Sequence, residues 1–229
     1  MISKFKLVKR GFQKNLILIP GWATDYRIFE PLDLDYNYIL PIEFNPFDFE
    51  KNLAEFLEQS APHKISIFGW SMGAFSAVEF AHKYPDKTEE LFLLSIRRRY
   101  NLTSLQEIES KLQKNKRAYL YKFYLDFFSP TEKESSGWFK KHLLKEYLEK
   151  TDFKDLAAGL DYLSCVYFKP QAVSKINKIR IFHGQLDRIA PLKDAQTIKT
   201  YLPQAEFISL KNSGHALFLN PDFKKIYNG

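Results

Sequence analysis

The sequence predicts an α/β fold in which a mostly parallel sheet carries helices on both faces. Short apolar segments alternate with segments of helical periodicity at the start of the chain and again near its end. Between these parts, residues 97–170 show long amphipathic helical patterns and no convincing strand. We therefore expect a single core formed by residues 1–96 and 171–229, with residues 97–170 inserted as a helical lid over one end of the sheet.

The predicted strands are short apolar runs bounded by turn residues or charges, and they cover residues 16–19, 38–40, 65–68, 91–94, 179–182 and 206–210. The spacing of apolar residues predicts helices over 48–60, 72–83 and 192–201. Active sites of open α/β sheets lie beyond the carboxyl ends of the strands. Residues that directly follow these strands are therefore the first candidates for function.

Composition limits the class of protein. No apolar run approaches the roughly 18 residues of a membrane-spanning helix, so we expect no membrane partner. The first ten residues contain no continuous apolar stretch, which argues against a secretory signal. Cys165 is the one cysteine of the chain, cannot form an internal disulfide, and is interpreted as a small buried residue. These features predict a cytoplasmic protein.

The formal net charge is +7, and the excess is concentrated in one segment. Residues 97–150 contain 13 lysines and arginines against 7 acidic residues, a net of +6 that leaves +1 for the rest of the chain. Such a segment attracts acidic proteins, nucleic acid or anionic lipid, and an ordinary solvated surface can have the same composition. No recognition motif accompanies the charge, so we expect no nucleic-acid partner.

A candidate nucleophile lies in the segment Gly69–Gly73, which reads Gly-Trp-Ser-Met-Gly between a predicted strand and a predicted helix. A serine at the tip of such a tight turn holds strained backbone, and its hydroxyl projects from the edge of the sheet. The flanking glycines relieve crowding, and the small Ala74 lets the helix pack closely on the strand. Ser71 is the predicted nucleophile, and a glycine-rich turn without function is the alternative.

His215 is the predicted base, because serine needs a neighbouring base to act as a nucleophile at neutral pH. It lies on a short loop after the predicted strand 206–210. The other histidines fit this role less well: two lie in helical patterns, one precedes a strand, and one ends a strand as a structural residue. In that order they are His82, His142, His63 and His183.

Asp187 is the predicted third member, because it follows the predicted strand 179–182 and a carboxylate there can orient the imidazole. Asp161 and Asp194 are rivals, although Asp194 better fits the first turn of the next helix. A turn residue without catalytic function remains the alternative for Asp187. Serine, aspartate and histidine thus occur in that order along the chain.

The negative oxygen of a tetrahedral intermediate needs two preorganised N–H donors. We predict the backbone amides of Met72, directly after the serine, and of Trp22, after the first predicted strand. The Trp22 indole is expected to wall the acyl pocket, and a simple strand-ending turn is the alternative. The sequence contains no phosphate-binding glycine loop, dinucleotide fingerprint or cysteine–histidine cluster, so we expect no cofactor and no metal.

Together these residues resemble the α/β-hydrolase superfamily over residues 15–95 and 176–221. The resemblance is strongest to the pimeloyl-ACP methyl ester esterases of biotin synthesis, where ACP is acyl carrier protein. The segments that carry it are Pro20–Trp22, Gly69–Gly73, His183–Asp187 and Ser213–Ala216. The resemblance implies a serine carboxylesterase that removes a methyl ester from a carrier-bound dicarboxylate. Two segments depart from that family: Pro20 replaces a usual histidine, and Pro41–Pro46 replaces a glycine-rich loop.

Acyl carrier protein is strongly acidic, so the resemblance gives the basic lid a function as its docking surface. The candidate docking residues are Arg97, Arg98, Arg99, Lys114, Arg117, Lys122 and Phe128. An ordinary solvated helical face, with its aromatic residues turned toward the core, is the alternative.

Three other functions stay open. One is a carboxylesterase for small free esters without carrier dependence. Another is a hydrolase-fold lyase of menaquinone synthesis, and the third is a non-catalytic binding protein on the same scaffold. We expect a monomer in each case.

Overall fold

A seven-stranded sheet forms the centre of the computed structural model, which describes residues 4–60 and 64–228. Its strands are β1 (Phe5–Val8), β2 (Asn15–Ile19), β3 (Asn37–Pro41), β4 (Ile65–Trp70), β5 (Thr88–Leu94), β6 (Ile179–Gly184) and β7 (Glu206–Leu210). Their order across the sheet is β1-β3-β2-β4-β5-β6-β7. The pairing of β1 with β3 is antiparallel and the others are parallel. The predicted mostly parallel sheet is confirmed.

The helices are α1 (Phe49–Ser60), α2 (Met72–Lys83), α3 (Leu102–Leu125), α4 (Lys133–Phe139), α5 (Lys145–Lys150), α6 (Phe153–Cys165), α7 (Leu192–Tyr201) and α8 (Phe223–Asn228). A π-helical turn, Lys140–Leu144, joins α4 to α5. The central strands β2 and β4 are buried almost throughout, because helices cover both faces of a parallel sheet. This burial explains why their sequences are continuous apolar runs.

Helices α3–α6 lie between β5 and β6, as the helical pattern of residues 97–170 predicts. The two ends of this insertion meet: the Phe168 N–H donates to the Arg98 carbonyl at 2.8 Å, and Arg99 and Tyr167 form an isolated antiparallel bridge. Asn115 interrupts α3 with a φ of −160°, and its side chain accepts the Ala118 N–H at 2.9 Å as a new helical start. The division into core and lid is kept as a proposal.

Two elements were not predicted. β1 reads Phe-Lys-Leu-Val, and only Phe5 is buried, which is typical of a half-exposed edge strand and gives a weak signal over four residues. α8 has six residues, and its apolar side chains pack on the sheet: the Tyr227 ring lies 5.1 Å from Phe92 and the Phe223 ring 5.4 Å from Phe182. Both elements are stabilised mainly by tertiary contacts, so their local sequence gives little indication of them.

The prediction of a buried Cys165 is wrong, because this residue is exposed at the end of α6. The buried positions of α6 include Leu156, Gly159, Leu160 and Leu163, which follow helical spacing, and Cys165 falls outside that series. Within residues 4–60 and 64–228, no helix has both the length and the apolar character needed to cross a membrane.

Candidate active site

Ser71 forms the turn between β4, which ends at Trp70, and α2, which begins at Met72. Its backbone has a φ of 55° and a ψ of −117°, a strained conformation for a residue with a side chain. The Ser71 N–H donates to the Leu94 carbonyl of β5 at 2.9 Å, and its own carbonyl accepts the Ala74 N–H at 3.0 Å. The turn is therefore fixed by the sheet on one side and the helix on the other.

Glycines beside the turn allow the backbones of β2, β4 and α2 to approach closely. A Cβ atom on Gly69 would lie 2.7 Å from the Ala74 Cα, and one on Gly73 would lie 2.5 Å from the Ile19 and Pro20 carbonyl oxygens. These distances are far shorter than van der Waals contact, so a side chain at either position requires the backbone to move.

His215 and Asp187 form the hydrogen bond that the sequence predicts. Nδ1 of His215 donates to Oδ2 of Asp187 at 2.8 Å, because an ionised carboxylate can only accept. Both side chains are almost completely buried. In the neutral ring, this bond fixes the tautomer with the proton on Nδ1 and the lone pair on Nε2.

The other oxygen of Asp187 accepts two backbone N–H groups, from Ile189 and Ala190, each at 2.8 Å. Burial by itself raises the pKa of Asp187, but the adjacent His215 and His183 rings and the hydrogen bonds to the carboxylate outweigh it. The net effect holds the Asp187 pKa below its usual value. The carboxylate is therefore ionised at neutral pH.

His183 and the two rival carboxylates have other positions. Nε2 of the buried His183 donates to the Ala190 carbonyl at 2.9 Å, which agrees with the structural role predicted for it. Burial lowers the pKa of His183, against the smaller opposite effect of Asp187, so this ring is neutral near pH 7. Asp194 lies in the first turn of α7, as expected, and Asp161 is exposed on α6. His63 lies outside the described residues.

The backbone of His215 is fixed by the two strands on which the nucleophile turn rests. Its carbonyl accepts the Trp70 indole N–H at 2.9 Å and the Ser95 hydroxyl at 2.7 Å. The Trp70 and His215 rings also lie 5.4 Å apart. The tryptophan of the Gly-Trp-Ser sequence thus joins the turn of Ser71 to the loop that carries His215. In the sequence, this tryptophan contributes only to the family resemblance.

Gly21, the residue before the predicted oxyanion donor Trp22, lies against the turn that contains Ser71. A Cβ atom on Gly21 would be 3.3 Å from Cβ of Ser71. The Trp22 indole N–H donates to the Leu156 carbonyl of α6 at 2.9 Å. Gly159 of α6 packs flat on this indole, since a Cβ there would come within 2.4 Å of the ring.

A cavity of about 570 Å³ extends from Trp22 and Met72 between the Pro41–Pro46 segment and helices α5 and α6. Trp22 therefore forms part of the wall of this cavity, beside Met72. Six carboxylates and three cations line it: Asp25, Glu43, Asp48, Glu146, Asp152 and Asp155, with Lys4, Arg27 and Lys150. The Arg27 guanidinium contacts both Asp25 and Glu146. The rim of this cavity is thus acidic, whereas the insertion as a whole is basic.

Tyr100 is a site residue that sequence reasoning missed. Burial raises its pKa, and the Arg97 guanidinium and a hydrogen bond with the Ser71 hydroxyl act in the opposite direction. The Arg97 guanidinium lies 4.7 Å from the centre of the Tyr100 ring and 3.5 Å from the Asp194 carboxylate. It also donates to the Ile189 carbonyl at 3.2 Å. Arg97 is therefore engaged within the chain, beside the site, and not free to dock a partner.

The remaining candidate docking residues divide into two groups. Arg98, Arg99, Lys114, Arg117 and Lys122 are exposed, as a docking surface requires. Phe128 is only 6% exposed and packs on the Phe139 ring at 5.6 Å, so its interpretation as contact surface needs correction. Phe128 lies just after α3 and is buried together with Tyr124 and Phe127, which is the stated alternative for the aromatic residues.

A second concave surface, the basic groove, lies between α3 and the π-helical turn and has a volume of about 580 Å³. Exposed Tyr121 and the apolar side chains of Leu144 and Leu148 line it, together with Arg117, Lys140 and Lys145. Lys140 and Lys145 were not among the predicted docking residues, because more than 20 positions separate them from Arg117 in the sequence. Within the described residues, no group of three or more histidine, cysteine or acidic side chains is arranged to hold a metal.

Solved structures of similar shape show the fold. One, from a deep-sea metagenome library, is described as an alpha/beta hydrolase enzyme: its TM-score is 0.75 at 16% identity, covering 98% of this chain and 89% of the other. The chain has the α/β-hydrolase fold. An esterase from Exiguobacterium antarcticum shares this fold with a TM-score of 0.81, 15% identity and coverage of 98% and 93%. A bromoperoxidase from Bacillus anthracis shares it with a TM-score of 0.82, 19% identity and the same coverage.

Sequence comparison agrees with the predicted resemblance within this fold. The pimeloyl-[acyl-carrier protein] methyl ester esterase of Aliivibrio salmonicida is 22% identical over 92% of this chain and 88% of its own. The protein of the same name from Nitrosomonas europaea is 23% identical over 92% of each chain. No protein-family model matches the sequence. The α/β-hydrolase fold and the similarity to these esterases are confirmed.

Gly73→Ala should destabilise the fold, because the added methyl group meets two backbone carbonyl oxygens of the β2 turn. We expect the free energy of unfolding in urea to fall by about 1–3 kcal/mol. Gly137→Ala in α4 is the matched control, since nothing lies within 4 Å of its added methyl group. It should raise stability by about 0.5–1 kcal/mol. Equal stability of Gly73→Ala and wild type would contradict the close approach.

The lowered pKa of His183 should make stability depend on pH. Below its ordinary value of 6.5, the unfolded chain binds a proton at His183 that the folded protein does not accept until a lower pH. The free energy of unfolding should therefore decrease from pH 7 to pH 5, and His183→Gln should show a smaller decrease. Urea titrations at a series of pH values measure this. The exposed His142→Gln variant should follow wild type, and identical slopes for all three proteins would refute the argument.

Proposed function

We propose that this protein is a serine carboxylesterase with Ser71 as nucleophile, His215 as base and Asp187 as the group that orients the base. The class of carboxylic ester hydrolase agrees with the esterase names of its relatives. The observation that carries the residue assignment is the buried 2.8 Å hydrogen bond between His215 and Asp187, on a loop joined through Trp70 to the strained turn of Ser71.

In the proposed reaction, Nε2 of His215 takes the proton of the Ser71 hydroxyl while Oγ attacks the ester carbonyl. The backbone amides of Trp22 and Met72 stabilise the negative oxygen. The alcohol leaves with the proton from His215, and an acyl group remains on Oγ. Water, deprotonated by the same histidine, attacks this acyl-enzyme and releases the acid. Asp187 stays ionised throughout and stabilises the imidazolium.

Ser71→Ala should abolish this chemistry, because no other group occupies the turn. We expect kcat for an activated ester to fall by at least about 1,000-fold. A fluorophosphonate probe should label wild type on Ser71 and leave the variant unlabelled. The exposed Ser164→Ala serves as the control and should behave as wild type. Labelling or turnover that survives in Ser71→Ala would refute the nucleophile, and an unreactive wild type would favour a binding protein.

The proposed substrate is the methyl ester of pimeloyl-ACP. Two observations support it: the substrate in the names of the relatives, and the charge of the basic groove. Within the part of the chain that the structure describes, none of Arg117, Lys140 and Lys145 is in an ion pair. Three cations around an apolar floor suit an acidic protein surface that also presents apolar side chains.

Helix α5 separates the basic groove from the acidic cavity. Lys145 and Leu148 face the groove, whereas Glu146, Tyr147 and Lys150 line the cavity. An acidic carrier is attracted on one side of α5 and repelled on the other, so charge alone orients it. Its acyl arm would then pass over α5 toward Trp22 and Ser71. In this proposal, the carrier contact and the ester chemistry lie on opposite sides of one short helix.

Replacing Arg117, Lys140 and Lys145 together by glutamate should separate carrier recognition from chemistry. We expect kcat/KM for pimeloyl-ACP methyl ester to fall about tenfold or more at low salt, and its salt dependence to weaken. Hydrolysis of a free short-chain ester should stay unchanged, because the three residues lie outside the cavity.

A matched control changes the net charge equally on the sheet domain, with Lys6, Lys51 and Lys175 replaced by glutamate. It should leave the carrier substrate nearly unaffected. A wild type that hydrolyses free esters as well as the carrier substrate would instead indicate a general small-ester hydrolase. An equal loss of kcat/KM for the carrier substrate in both triple variants would show that the net charge of the protein matters and the position of the charges in the groove does not.

A further inference from the structure

The segment between α3 and α4, residues 127–132, contacts the loop that carries His215. We call it the lid root, and residues 212–216 the histidine loop. The Ala216 N–H donates to the Phe127 carbonyl at 3.1 Å. The hydroxyls of Ser129 and Thr131 both donate to the Asn212 carbonyl, at 2.7 and 2.9 Å. The base of the proposed triad therefore rests on the insertion as well as on the sheet.

Glu132 is the charged group at this contact, and it is only 7% exposed. One of its carboxylate oxygens, Oε2, accepts two backbone N–H groups at 2.8 Å: that of Ser129 and that of Gly214. The other oxygen, Oε1, is buried and has no hydrogen-bond partner. A buried carboxylate is costly, so hydrogen bonds to its charge are strong and its removal leaves two buried donors unsatisfied.

The first of these bonds is local. The Glu132 side chain accepts the N–H of Ser129, three residues earlier, and closes the turn that leads into α4, which begins at Lys133. The bond to Gly214 is not local, because it spans 82 residues and does not serve the helix. It reaches the residue directly before His215.

Close packing leaves the histidine loop little room beside this bond. A Cβ atom on Gly214 would lie 2.6 Å from the Phe127 carbonyl oxygen and 2.9 Å from the Ser129 nitrogen. The Phe127 ring lies 5.8 Å from the His215 ring. Glu132 and Phe127 thus hold the residues on both sides of His215, while Trp70 and Ser95 hold its carbonyl.

We infer that Glu132 is a positioning residue: its carboxylate fixes the Gly214 amide and thereby sets the place of the His215 imidazole relative to Ser71 and Asp187. The inference rests on the proposed function, since it assigns a role toward the proposed base. A displacement of about 1 Å in a catalytic group is enough to cost about 100-fold in rate. Glu132 acts through His215 and does not touch the reacting atoms.

Three substitutions of Glu132 distinguish the positioning of His215 from a purely local role in the turn before α4. Glu132→Asp keeps the charge but is too short to reach both amides. Glu132→Gln keeps an oxygen that can accept both N–H groups, and its amino group takes the place of the unpartnered Oε1. We expect kcat for a free short-chain ester to fall about 10- to 100-fold in the aspartate and alanine variants with KM nearly unchanged, and to stay within about threefold of wild type in the glutamine variant.

The exposed Glu134→Ala is the matched control and should keep wild-type kcat. Circular dichroism shows which variants fold. If the alanine variant does not fold, the comparison of the aspartate and glutamine variants tests the inference. A folded aspartate variant with wild-type kcat would overturn the inference. So would a glutamine variant as impaired as the aspartate one, because hydrogen-bond acceptance would then not be what matters.

A measurement without turnover separates this inference from the proposed function. The proton on Nδ1 of His215, bonded to Asp187, gives a downfield NMR signal that is identified by its loss in His215→Ala. We expect Glu132→Asp to shift this signal and speed its exchange with water, and Glu132→Gln to leave it in place. An unchanged signal in Glu132→Asp would refute positioning even if the enzyme is active. If wild type has no esterase activity but Glu132→Asp still shifts the signal relative to wild type, only the proposed function is refuted.

Discussion

The close approach of three backbones at Ser71 is the constraint on which the site depends. β2, β4 and α2 meet where glycine stands at positions 21, 69 and 73, and side chains there would collide with neighbouring main chain or with the turn itself. The approach forces Ser71 into a positive φ, and tertiary packing has to hold that strain. The Trp70 indole then connects the same turn to the histidine loop, so one tight contact positions both the proposed nucleophile and the proposed base.

The sequence was sufficient for those parts that local pattern determines. Buried parallel strands are continuous apolar runs, and a serine between glycines after such a run is distinctive, so β2, β4 and the Ser71 turn could be predicted. The aspartate and histidine could be placed because both follow strands at the same edge of the sheet. β1 and α8 could not, since four and six residues carry too little periodicity and depend on tertiary contacts.

Contacts between distant residues were out of reach of the sequence. Tyr100, at the start of the insertion, shares a hydrogen bond with Ser71, and Lys140 joins Arg117 in one groove because the π-helical turn lies beside α3. Charge counting correctly placed the excess of cations in the insertion but could not show that Arg97 is engaged with Asp194. Nor could it show that the cavity beside Trp22 is acidic. The net charge of a segment is a sum over all its side chains, and it does not show which of them the fold brings to the same surface.

The insertion is attached to the rest of the molecule through each of its helices and through the lid root. Tyr124 of α3 bonds to the Ala23 carbonyl, Ser135 of α4 to the Leu219 carbonyl and Glu146 of α5 to Arg27. The Leu156 carbonyl of α6 accepts the Trp22 indole, and the lid root bonds to the histidine loop. A flap attached at one hinge can swing as a rigid body, whereas one attached along its length cannot swing without breaking bonds beside Ser71 and His215. A single swing of the whole insertion therefore does not open access to Ser71 while these bonds hold.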